Sequence, residues 1–199
     1  MSAQVTSQLD PAPILDAVEG FCGTIIDLDC SLVVGPDAFA RGRQELGASL
    51  RAAGLAPGDR VVLAVANGPL FVAALSAILA SEGSPLLVHC KTPPAELKRY
   101  AQKFGARFIA TDSWELEAIA PIAFPPKLVE VEDWPILLWA NLDESDAAFQ
   151  EPTHTLLGVP LHPTSGSTGL PKVALRPGPA AYGHGGTKPT VRRAVGMSA

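Results

Sequence analysis

Apolar and polar positions alternate in blocks along the first half of the chain, and each block has the length of one helix or strand. The segment from Phe39 to Ala53 places apolar side chains at Phe39, Leu46 and Leu50, a spacing that predicts a helix facing a core. Residues 61–65 read Val-Val-Leu-Ala-Val and predict a buried strand. The pattern therefore begins with a helix followed by a strand.

The same alternation of helix and strand continues through residue 111. Residues 70–80 are almost entirely apolar and predict a helix enclosed between two layers, and residues 85–88 predict the next strand. We expect Thr92 to cap a helix that has prolines in its first turn and runs through Phe104. Residues 107–111 predict a third strand. This order predicts an α/β fold, a parallel sheet covered by helices.

Composition is that of a folded protein without membrane or metal signatures. The 199 residues are 47% hydrophobic and 18% charged, and the longest apolar run is too short to span a bilayer. The first residues lack the basic start and apolar centre of a signal peptide. Cys22, Cys30 and Cys90 form no CxxC pair, so we expect reduced and mostly buried thiols. These features predict a cytoplasmic location.

Charge is distributed unevenly, but not in the manner of a nucleic-acid-binding protein. All twenty acidic residues lie at or before Glu151, whereas residues 152–199 carry five bases and no acid. The basic residues are sparse, and aromatic residues do not interleave with them. We therefore predict no nucleic-acid partner.

The strongest chemical signal is Pro-Thr-Ser-Gly-Ser-Thr-Gly-Leu-Pro-Lys, residues 163–172, between two apolar segments. Glycines let successive N–H groups point into one concavity that suits a polyanion. The hydroxyl groups add donors, and Lys172 adds a mobile positive charge. The segment therefore predicts a loop that binds phosphates.

Two other interpretations of this segment are weaker. A Walker loop requires Gly before the lysine and a hydroxyl after it, but Pro171 and Val173 occupy those positions. A flexible Ser/Gly linker shares the composition. It has no need, however, of a Pro-Lys pair at a set offset or of apolar strands on both sides.

The segment, with its flanking strands, resembles the phosphate loop of the adenylate-forming (AMP-binding) superfamily. That superfamily includes acyl-CoA synthetases, aryl-acid ligases, luciferases and the adenylation domains of peptide synthetases. Residues 58–61 (Gly-Asp-Arg-Val), the Asn-containing turn and small-residue helix at 67–80, and the helix-to-strand junction at 104–112 also occur in that family's order. The resemblance covers residues 39–181 and is weaker over 113–152.

The resemblance implies an ATP-dependent activation of a carboxylic acid. A carboxylate oxygen attacks the α-phosphorus, pyrophosphate leaves, and a thiol such as coenzyme A takes the acyl group from the acyl-adenylate. Mg²⁺ is implied with ATP, and no general base is needed because the carboxylate is already a nucleophile. Neither a catalytic residue nor a metal ligand is assigned. The implied phosphate-binding residues are Thr164, Ser165, Gly166, Ser167, Thr168, Gly169 and Lys172.

Three segments are predicted on this basis. Residues 1–38 form a lead-in, 39–181 a partial AMP-binding N-terminal domain that ends in the phosphate loop, and 182–199 a disordered or frameshifted tail. The sequence shows neither the family's adenine-binding segment nor the C-terminal domain that carries the family's catalytic lysine. We therefore expect an N-terminal fragment without ligase activity of its own. The alternative is a non-catalytic nucleotide-binding module, or one that pairs with a complementary C-terminal polypeptide. The particular acid is not specified, since the family builds its acyl pocket mainly after the phosphate loop.

Overall fold

The computed structural model describes residues 12–29, 31–113, 127–129, 137–141, 160–164 and 172–175. The helices in these ranges are α1 (Ala12–Glu19), α2 (Pro36–Ala52), α3 (Pro69–Ala80) and α4 (Pro94–Phe104). The strands are β1 (Ile25–Asp27), β2 (Leu32–Val34), β3 (Arg60–Ala64), β4 (Ser84–Leu87), β5 (Ala106–Thr111), β6 (Lys127–Val129), β7 (Leu137–Asn141), β8 (Leu161–Thr164) and β9 (Lys172–Leu175).

Seven of these strands form one sheet, in the order β6-β7-β5-β3-β4-β8-β9. The four neighbours β5, β3, β4 and β8 run parallel to one another. Strands β6, β7 and β9 each pair antiparallel with a neighbour, and β1 pairs with β2 in a separate hairpin. The predicted α/β fold with a parallel sheet is confirmed.

Helices cover both faces of the sheet. Successive residues of a strand contact different helices, because their side chains point to opposite sides of the sheet. Val61 and Leu63 of β3 belong to one buried cluster with side chains of α2 and α3. Val62, between them, belongs to a second cluster with Ile109 of β5 and Leu97 of α4. The chain therefore crosses from β3 to β4 on one face and from β4 to β5 on the other.

Helix α3 is the enclosed helix that its apolar composition predicts. Its residues are all buried or half-buried except Ala80, which is exposed. Helix α3 packs against α2 at Gly47, a residue without a side chain. A Cβ on Gly47 would stand 3.9 Å from the Cβ of Ala77. The one hydroxyl on its buried face, Ser76 Oγ, donates to the Ala73 carbonyl at 3.0 Å. Small residues thus let the two helices pack closely without an unpaired polar group.

Helix α4 begins at a different residue from the one predicted. Its N-cap is Pro93, and no side-chain hydrogen bond caps the helix, so the expectation that Thr92 caps it was wrong. The Pro93 carbonyl accepts from the N–H groups of Glu96 and Leu97, at 2.9 and 3.0 Å. Pro94 then fits the first helical position, where its missing N–H costs no intrahelical bond.

The N-terminal segment contains structure that the sequence pattern did not predict. Helix α1 and the β1–β2 hairpin lie within residues 12–34, and Ile25 and Leu32 pack against the core beneath the hairpin. The alternate positions Ile26 and Val33 are exposed on its outer side. Three-residue strands are too short to show period-two alternation clearly, which explains why the pattern missed them.

Candidate functional site

The carboxyl end of the sheet, where the parallel strands β3, β4, β5 and β8 finish, collects the polar residues that follow those strands. The connection after β3 leads to α3 on one face, and the connection after β4 leads to α4 on the other. In open parallel sheets, a crevice forms where neighbouring connections leave toward opposite faces, and ligands bind there. The fold therefore points to this end as the place for a ligand.

The candidate phosphate loop begins and finishes at the carboxyl end of the sheet. Strand β8 pairs parallel with β4 at Leu161 and Leu86. It then pairs antiparallel with β9, so that Thr164 stands opposite Lys172. The strands predicted on both sides of the loop are confirmed, and Thr164 lies within the first of them.

Two of the sequence-predicted site residues are thus brought together by backbone pairing, Thr164 and Lys172. The other five lie outside the described residues, and their phosphate-binding role stays a prediction. They are Ser165, Gly166, Ser167, Thr168 and Gly169.

A histidine and a lysine follow β4 at the same end of the sheet. The Val88 N–H donates to the Leu63 carbonyl at 3.0 Å, so the chain keeps its course beside β3 until just before His89. The Lys91 N–H donates to His89 Nδ1 at 3.1 Å, and both side chains are exposed. With Nδ1 as an acceptor, the neutral imidazole carries its proton on Nε2.

On the far side of β3, an aspartate fixes the loop that follows that strand. Asp112, the first residue after β5, accepts the Ala66 N–H on Oδ2 at 2.9 Å. Next to it, the Ser113 N–H donates to Thr111 Oγ1 at 3.1 Å. Sequence reasoning gave Asp112 no role, although an acidic residue directly after a buried strand was a usable signal. It acts here as a link between two neighbouring strand ends.

The Gly-Asp-Arg-Val sequence lies at the opposite, amino end of the sheet. Arg60 Nη1 donates to the Phe104 carbonyl at 2.7 Å, and burial lowers the pKa of the Arg60 guanidinium. Arg107 Nη1 stands 3.3 Å from Asp59 Oδ1, an ion pair between the starts of β5 and β3. This family-like sequence therefore holds the scaffold together, away from the candidate site.

Metal and membrane features do not occur in the described part of the chain. Its His, Cys, Asp and Glu residues form no cluster of three suited to a metal ion. None of its helices has the length and apolar character needed to cross a membrane. Cys22 and Cys90 are free thiols, but Cys22 is exposed, so the expectation of burial was wrong for it.

The described part of the chain is thus a parallel sheet with helices on both faces, and a Ser/Gly/Thr sequence connects β8 to β9 at its carboxyl end. The sequence model of the AMP-binding enzyme family matches residues 38–177. The chain belongs to this family, and the resemblance predicted from its motifs is confirmed.

Solved structures support the same fold. An inhibitor-bound N-terminal domain of FACL13 from Mycobacterium tuberculosis matches with a TM-score of 0.54 and 19% identity, over 85% of this chain and 44% of that one. The N-terminal subdomain of NpsA from Klebsiella oxytoca gives 0.53 and 18%, over 85% and 42%. The o-succinylbenzoate CoA synthetase MenE from Bacillus subtilis, in complex with its acyl-adenylate intermediate OSB-AMP, gives 0.53 and 18%, over 84% and 42%.

The chain therefore spans less than half the length of each of these three matched chains. No curated protein matches it.

Proposed function

We propose that this chain is the N-terminal part of an ATP-dependent carboxylic acid ligase, and that residues 164–172 bind the β- and γ-phosphates of ATP. The observation that carries the proposal is the pairing of Thr164 with Lys172 at the carboxyl end of a parallel sheet. This pairing gives the loop between them a closed base. Membership of the AMP-binding enzyme family supports ATP as the nucleotide.

The proposed chemistry is acyl-adenylate formation followed by thioester formation with coenzyme A. A carboxylate attacks the α-phosphorus, and the loop N–H and hydroxyl groups stabilise negative charge on the departing pyrophosphate. Lys172 adds a positive charge at the same place. Mg²⁺ would arrive with the triphosphate and reduce its charge. Since the described residues form no metal-binding cluster, no side chain among them is assigned to it.

We further propose that this stretch of chain binds nucleotide without completing the reaction. Its match covers 44% of the first matched domain, so the rest of the site would come from residues outside this stretch. In the alternative of a split module, a complementary C-terminal polypeptide would supply them. The boundaries at residues 38, 39, 181 and 182 and the cytoplasmic location stay predictions. A non-catalytic nucleotide-binding module is the alternative function, and it shares the same first step of ATP binding.

Titration calorimetry of Mg·ATP into the full 199-residue chain tests the phosphate loop. We expect Lys172→Ala to weaken binding about tenfold, because one charge-assisted contact to phosphate is lost. The matched control is Lys103→Ala, in the last turn of α4, which removes an equal charge at the amino end of the sheet. Equal affinities for the two variants, or no ATP binding by the unaltered chain, would contradict the assignment.

A further inference from the structure

We propose that His89 and Lys91 form a second phosphate-binding position that contacts the terminal phosphates of the nucleotide from the β4 side. This inference rests on the proposed function and extends it to residues outside the loop. Strand β8 lies between β4 and β9 in the sheet. The base of the loop therefore has Lys172 on one side and the segment after β4 on the other.

The register of the sheet sets His89 level with the start of the loop. Leu86 pairs with Leu161, and His89 and Thr164 each lie three residues beyond that pair. Parallel neighbours advance equally, by about 3.3 Å per residue, and lie about 4.8 Å apart. The hydrogen bond from Val88 to Leu63 keeps the chain along this course up to the residue before His89. Continued along this course, the backbone would bring His89 close to Thr164, the residue at which the loop begins.

The chemistry of the segment after β4 suits an anion. The contact from the Lys91 N–H occupies His89 Nδ1, which leaves Nε2–H as the donor of the neutral ring. Lys91 contributes an exposed ammonium group, and no acidic residue occurs between Glu82 and Glu96 in the sequence. Two donors and a positive charge without a competing carboxylate on the same segment match the oxygens of a polyphosphate.

The test is titration calorimetry of the full chain with inorganic tripolyphosphate, together with the unfolding temperature of each variant. We expect Lys91→Gln and His89→Ala each to weaken tripolyphosphate binding about fivefold and to leave the unfolding temperature unchanged, because both side chains are exposed. Lys91→Arg should restore tripolyphosphate affinity to within about twofold of the unaltered chain, as it keeps the charge. The charge control is Arg99→Gln, an exposed position in the middle of α4, which should leave tripolyphosphate affinity and the unfolding temperature unchanged.

The outcomes separate this inference from the function on which it rests. If Lys172→Ala weakens tripolyphosphate binding and the His89 and Lys91 variants behave like Arg99→Gln, the second position is wrong and the loop assignment stands. A fall in unfolding temperature that accompanies the loss of tripolyphosphate affinity would also overturn it, since that is what a purely structural role predicts. If the unaltered chain binds neither ATP nor tripolyphosphate, the proposed function and this inference both fail.

Discussion

Asp59 connects three parts of the amino end of the sheet, and its side chain is only 13% exposed. Its Oδ2 accepts the Ala56 N–H at 2.8 Å, and its Oδ1 stands 3.3 Å from Arg107 Nη1. Its backbone carbonyl accepts the Ser84 N–H at 2.8 Å, which aligns the starts of β3 and β4. The carboxylate thus combines a turn contact with an ion pair in a partly buried place.

We expect Asp59→Ala to lower the free energy of unfolding by about 2 kcal/mol, because it removes the acceptor of the Ala56 N–H and one partner of the Arg107 guanidinium. Urea unfolding of the two proteins measures the difference. Asp16→Ala, at an exposed position of α1, is the matched control and should change stability by less than about 0.5 kcal/mol. Equal effects of the two substitutions would show that the Asp59 contacts contribute nothing beyond a surface charge.

The surroundings of Gly83 and Gly47 predict opposite effects on stability when each glycine is replaced by alanine. A Cβ on Gly83 would stand 3.0 Å from Ile78 Cγ2 and 3.2 Å from the Ile78 carbonyl, so we expect Gly83→Ala to destabilise the fold by about 1–3 kcal/mol. A Cβ on Gly47 would meet the long Arg51 side chain at Nη1, 3.3 Å away, and Ala77 at an ordinary distance. Arg51 Nη1 donates to Ser81 Oγ at 3.3 Å, and we expect this side chain to shift by a few tenths of an ångström. In the middle of α2, Gly47→Ala should therefore stabilise by about 0.5–1 kcal/mol.

Thermal unfolding of the two glycine variants and of the unaltered chain tests both predicted changes in stability. Gly83→Ala should unfold at a lower temperature than the unaltered chain, and Gly47→Ala at a higher one. A rise for Gly83→Ala would mean that the turn before β4 relaxes, and a fall for Gly47→Ala would mean that α2 and α3 are packed more tightly than 3.9 Å implies.

At the scale of elements, the helices and strands from α2 to β5 follow the sequence pattern because each buries a long apolar stretch. Helix α3 is the clearest case, since its composition alone predicts enclosure between layers. The start of α4 was misplaced because local preference favours Thr92 as the cap, whereas the helix begins after Pro93, whose carbonyl accepts the N–H groups of Glu96 and Leu97. The flanks of the phosphate loop were predictable as strands, whereas their antiparallel pairing was not.

The set of polar residues that share the carboxyl end of the sheet could not be predicted, for a different reason. His89 and Asp112 reach the carboxyl end of the sheet through the order in which β4, β3 and β5 lie side by side. That order depends on pairing between distant segments, and local hydrophobic periodicity carries no information about it. Sequence reasoning accordingly found the loop, treated His89 as an ordinary polar residue at a strand end and gave Asp112 no role.

Strand β8 links the loop to the sheet, so its core residue should couple stability to nucleotide binding. Leu161 is 1% exposed and belongs to the same cluster as Leu86 and Leu97. We expect Leu161→Ala to destabilise the fold by about 2–4 kcal/mol and also to weaken Mg·ATP binding. Leu97→Ala, on α4 in that cluster, should cost a similar amount of stability and leave ATP affinity unchanged. Calorimetry well below both unfolding temperatures separates the two effects, and equal ATP affinities would contradict the coupling.

At the scale of the whole molecule, the two ends of the sheet have different tasks. The amino end is held by Asp59, Arg60 and Arg107 through ion-pair and backbone contacts. The carboxyl end carries exposed donors on short connections beside the loop. The side chains that hold the amino end are thus different residues from the donors at the carboxyl end. A substitution among those exposed donors should therefore leave the amino-end contacts of the sheet intact.

The final prediction concerns the reaction itself. Attack on the α-phosphorus requires the carboxylate and the nucleotide to be held within about 3.5 Å in line. The proposed loop and the His89–Lys91 position hold only the phosphates, and the chain spans 44% of the first matched domain. We therefore expect the purified chain to bind Mg·ATP but to form no acyl-hydroxamate when it is incubated with carboxylic acids and hydroxylamine. Hydroxamate formation by the unaltered chain that is lost in Lys172→Ala would refute this expectation, because it would show that these residues already align both substrates.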